Sequence, residues 1–154
     1  MPELDLFLIC NSFVIDKGTN RVSVFEILSE VWPQKFPALL QSAVAIAYWS
    51  FSDNEKTLDF QVIVRITPPN FTRSDLAANF VCTRTTMRTI TTMLNIPLIT
   101  AGRIKVEIFL NGTPVKTSYI EVHPANPNSG ERLLLYPTES SEKTEERKGK
   151  NTQG

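Results

Sequence analysis

From residue 58 to residue 66 an apolar side chain stands at every second position: Leu58, Phe60, Val62, Val64 and Ile66, with Asp59, Gln61, Ile63 and Arg65 between them. A period of two is the repeat of a β-strand, whose successive side chains point to opposite faces. One face of such a strand must be buried against another layer. The pattern returns at 104–110, where Ile104, Val106, Ile108 and Leu110 alternate with Lys105, Glu107 and Phe109. Asn111-Gly112 follows at once, and both residue types tolerate positive φ. The pair predicts a tight hairpin and a return strand at about 115–122. A second hairpin is expected at Asp16-Lys17-Gly18-Thr19-Asn20, between strands at 4–15 and 22–29.

Ala43-Val44-Ala45-Ile46-Ala47-Tyr48-Trp49 is apolar on both faces and rich in β-formers, as a central strand covered on both sides would be. Within it Trp49 is expected to anchor the core. Prolines mark loops at 32–37 and 67–70. Residues 75–95 pull two ways. Leu76, Phe80, Thr83, Met87, Ile90 and Leu94 fall on one side of a helix that Ser74 would cap. Six threonines crowd the same stretch, and β-branched side chains lose rotamer freedom in a helix. The balance predicts at most one helical turn near 74–79, then strands at about 80–87 and 89–95. Seven or eight short antiparallel strands close as an all-β, two-sheet sandwich, immunoglobulin-like in architecture.

Composition near Pro124 divides the chain into a β-sandwich domain, 1–123, and a tail, 124–154. From Thr138 onward there is no Val, Ile, Leu, Met or Phe, so the tail is expected to be flexible and disordered. Its exception is an apolar island, Leu133, Leu134, Leu135 and Tyr136. It fits either an extra strand or turn packed back on the domain, or a linear docking motif for a partner.

Ile9-Cys10-Asn11-Ser12-Phe13-Val14-Ile15-Asp16, then Val22-Ser23-Val24-Phe25-Glu26-Ile27-Leu28 and the Phe36-Pro37 loop, resemble the opening of a bacterial family of small β-sandwich proteins with no assigned function. Residues 101–112 are similar to that family's late strand and hairpin. Asn11 stands where an Asp is common, and Ile104 where a Tyr is common, which would remove a tyrosine-corner hydrogen bond. The resemblance implies the fold and a bacterial source, and it brings no activity with it.

With 16 basic and 16 acidic residues in 154, the formal charge is zero. Nucleic acid and anionic membrane surfaces, which require concentrated positive charge, are disfavoured as partners. No run approaches the roughly 18 apolar residues of a membrane span. The start, Met1-Pro2-Glu3-Leu4-Asp5, lacks the basic region of a secretory signal, so a cytoplasmic location is expected.

Cys10 and Cys82 have no second Cys or His at ligand spacing and are expected as buried thiols; no metal or cofactor site is readable. The one histidine, His123, would complete a Cys–His hydrolase dyad only beside an exposed, acidic thiol. The six glycines form no phosphate-binding loop, and the scattered aspartates make no dense calcium cage. The expected function is a non-catalytic binding or scaffold module, engaging a protein partner through a sheet edge or the aromatic-proline loop. Trp32 and Phe36 in that loop, Arg84 and Arg88 on the Thr-rich edge, and Leu134 and Tyr136 in the island are the candidate contacts. The same edge would serve a homo-oligomer. The alternative is recognition of a small ligand of glycan type at the Trp32 loop.

Overall fold

The computed structural model describes residues 1–127, in which the chain runs through nine strands. These are β1 (Glu3–Ile15), β2 (Val22–Ile27), β3 (Glu30–Val31), β4 (Ala38–Ser50), β5 (Asp59–Thr67), β6 (Ser74–Val81), β7 (Thr86–Leu98), β8 (Gly102–Leu110) and β9 (Thr113–Val122). One sheet has the order β2-β1-β4-β7 and the other β3-β9-β8-β5-β6. Every pairing is antiparallel except that of β3 with the end of β9. Successive strands pass between the sheets in the manner of an immunoglobulin-like sandwich. The strand in excess of the expected seven or eight is the two-residue β3, too short to leave an alternation. The tail island, with Leu134 and Tyr136, lies outside the described residues.

The alternating stretches bury the face the pattern selects, except at Leu58, which lies before β5 and is exposed because it precedes the paired run. Phe60, Val62, Val64 and Ile66 of β5 meet Ile104, Val106, Ile108 and Leu110 of β8 in the main core. The register sets Val64 beside Ile108, so both aliphatic rows point the same way. Across the sandwich, β4 contributes Ala43, Ala45, Ala47 and the wholly buried Trp49, whose Nε1 donates to Thr89 Oγ1 at 3.1 Å. Phe51, Phe60 and Phe80 close one end, with ring centroids 5.3 to 6.3 Å apart. The Asn111-Gly112 turn forms as expected, with φ of 48° and 80° and Leu110 facing Thr113.

A bulge at β1 changes which residues share a face. The register to β4 slips between Leu4 and Leu6, so Leu4 faces the main core beside Trp49 while Leu6 pairs with Tyr48 on the outer side. From there Leu8 and Cys10 also point outward. Beyond Cys10, β1 leaves β4 and pairs with β2 alone, forming an arm. Phe13, Val22 and Val24 of that arm pack over Cys10, Val44 and Ile46, with Ile90 of β7 beside them. The doubly covered central strand is therefore β4: one face meets the opposite sheet and the other meets the arm.

The segment 74–98 departs from expectation. Residues 74–81 form a strand and not a helical turn, and Ser74 caps nothing. The break in the Thr-rich stretch falls at 82–85, between β6 and β7, not near 88. The helical spacing of Leu76 to Leu94 was outweighed by pairing: β6 matches β5 from Ser74 opposite Ile66 to Val81 opposite Asp59. Arg65 adds a two-point fork on Asp75, 2.9 and 3.0 Å.

Candidate functional site

Of the proposed contacts, Arg84 and Arg88 come together at the start of β7. Arg84 sits in the exposed turn before the strand. Arg88, half-buried on the outer face, reaches the tip of the arm: Nη1 donates to the Asn20 main-chain oxygen and Nη2 to Asn20 Oδ1, each at 3.0 Å. Arm tip and turn enclose a cleft of about 760 Å³ with Val22, Tyr48 and Met87 among its apolar walls. Arg21 of the arm is a third arginine on its lining, and no lining residue is acidic among the described residues. Arg21 lies far from Arg84 in sequence. Only the folding of the arm across β4 brings it in, so no local motif announced it.

The arm tip is itself held by Asp16, which accepts from the Gly18 N–H at 2.9 Å and the Thr19 hydroxyl at 2.8 Å. Those bonds, the Gly18 one foremost, keep the Asp16 carboxyl below its ordinary range. Among the described residues it makes no ion pair with any of the three arginines.

The edge of β7 is the second feature. Its 13 residues pair with β4 on one side and with no described strand on the other. Beside it, β6 carries Leu76 and Ala78 on the core-facing side, opposite Val64 and Val62, yet both are exposed. A slot of about 280 Å³ runs between the two edges, floored by Met93 and Ile96 and flanked by Leu76 and Leu94. Leu94 is 66% exposed.

Trp32 and Phe36 part company. Phe36, which precedes Pro37 across a cis peptide bond, packs against the main core. Trp32 is 39% exposed and stacks flat on His123, the rings 3.5 Å apart and 2° from parallel. His123 Nε2 lies 3.7 Å from Glu30 Oε1. The imidazole thus belongs to the end of β9 in one sheet, whereas Cys10 faces Val44 and Ile46 on the outer side of the other. The two do not meet as a dyad, and burial pushes the Cys10 thiol up, away from the thiolate a nucleophile needs. Cys82 is also buried, with Sγ donating to the Arg84 carbonyl at 2.8 Å. Among the described residues no group of three or more His, Cys, Asp and Glu is placed to hold a metal ion, and no helix is long and apolar enough to cross a membrane.

No known family model matches the chain, and no curated protein does.

Proposed function

We propose that the protein is a non-catalytic binding module of the bacterial cytoplasm that engages a protein partner by accepting a strand along β7. The observation that carries this reading is the outer edge of β7, which pairs with no described strand, next to a neighbour, β6, whose core-facing Leu76 and Ala78 no described strand covers. Every second peptide group of an edge strand offers its N–H and C=O outward, a template for main-chain hydrogen bonds. A strand added there gains those bonds and lays alternate side chains over Leu76 and Ala78, which is the usual economy of β-augmentation. Asn95, at φ 53°, interrupts the strand near its end, leaving 86–94 as the regular run.

A photo-crosslinking phenylalanine placed at Leu94 in cells of the native host should join to one protein. The same group at Val115, on β9 in the other sheet, should not. In the purified complex the amides of 86–94 should exchange with deuterium more slowly. An adduct of twice the chain mass would make the partner a second copy. Equal adducts at both positions, or unchanged exchange along β7, would overturn the reading.

A further inference from the structure

We infer that the cleft at the head of β7 reads carboxylates, so that the partner strand carries acidic side chains at the end that lies against Thr86; this rests on the strand-addition reading above. The argument is one of charge balance. Arg65 and Arg103 of the same domain each grip a carboxylate, Asp75 and Glu121, at 2.9 and 3.0 Å. Arg21, Arg84 and Arg88 have none among the described residues. Arg88 is the most constrained: half-buried, and bonded only to two neutral oxygens of Asn20. A guanidinium partly removed from water and matched with neutral acceptors keeps its full charge uncompensated, and it gains from an anion delivered beside it.

The shape of the site selects the form of the anion. The three cations are confined to one cleft and do not form the extended track that a nucleic-acid backbone follows. Val22, Tyr48 and Met87 supply apolar wall between them, suited to the methylenes of Glu or Asp side chains. Thr86, Met87 and Arg88 line the cleft and also begin the open edge. A strand added along that edge therefore ends at the cleft, with its last side chains nearest the turn that carries Arg84. Along it, residues two apart share a face at about 7 Å spacing, so two acidic side chains placed two apart turn to the same side of the strand.

Two twelve-residue peptides of alternating valine and threonine test this with the full-length protein. One bears two glutamates at positions two apart near one end, and the other bears glutamines there. The glutamate peptide should bind about tenfold tighter or more, with the advantage shrinking in high salt and in both Arg84→Gln and Arg21→Gln, whose side chains have no partner to lose among the described residues. Equal affinities would overturn the acidic reading and leave strand addition standing. Binding of neither peptide would remove both. An advantage unchanged in both arginine variants would place the carboxylates elsewhere, and displacement by equimolar inorganic phosphate would make the cleft a site for free oxyanions instead.

Discussion

Asp75 shows how single residues tie this fold to pH. The Arg65 fork holds its carboxyl below the ordinary carboxylate range. Lys56 does the same for Asp53 through a 2.6 Å bond, and the Gly18 N–H with the Thr19 hydroxyl for Asp16. A carboxyl that is more acidic when folded favours the folded state in its ionised form. The stabilisation is complete above the unfolded value, near pH 4, and is lost as pH falls through the lower folded values. Urea titrations from about pH 6 down to about pH 2 should therefore show stability falling mainly below pH 4. In Asp75→Asn the acid limb should be shallower; a wild-type curve flat to pH 2 would contradict this account. These carboxylates are exposed, so each effect is small and the limb is their sum. None of these pairs was singled out from sequence, because Arg65 and Asp75 meet only through the pairing of β5 with β6.

At the scale of elements, two glycines separate conformational strain from steric strain. Gly112, at φ 80° in the β8–β9 turn, has no heavy atom within 4 Å of where a Cβ would stand. Gly102, at φ 147° at the start of β8, would bring a Cβ to 3.0 Å from Pro69 Cβ. Gly112→Ala should cost about 1 kcal/mol, the backbone penalty alone. Gly102→Ala should cost clearly more, as read from urea midpoints at constant m. Equal costs would mean that the 67–70 loop yields freely. The Asn111-Gly112 turn was legible because its chemistry is local. The bulge between Leu4 and Leu6 was not. From Leu6 to Cys10 every residue is apolar, so no alternation in sequence marks a face, and only the seating of Leu4 by Trp49 while Leu6 meets Tyr48 reveals the slip. For the same reason β6 looked helical in isolation: short apolar runs fit two periods, and a neighbouring strand decides between them.

For the molecule as a whole, the arm makes a third layer over half of a two-layer sandwich. Ile46 lies under it, fully buried with Cys10 and Val44. If that layer packs as a true interior, Ile46→Ala should cost about 2–5 kcal/mol, in the class of Ile108→Ala in the main core. A loss under about 1 kcal/mol would show an arm that lies loosely on the sheet. The amino-acid sequence by itself determined the strands that alternate, the Asn-Gly hairpin, Trp49 as core anchor, the two buried thiols and the class of sandwich. Each of these depends on a residue and its near neighbours, where side-chain period and backbone preference act. Only the tertiary structure decided that β1 bulges, that its far half folds over β4, that Phe36 faces inward while Trp32 lies on His123, and that Arg21 joins Arg84 and Arg88. Those outcomes turn on which distant strands share a face, and burial is a property of that arrangement rather than of any stretch of chain.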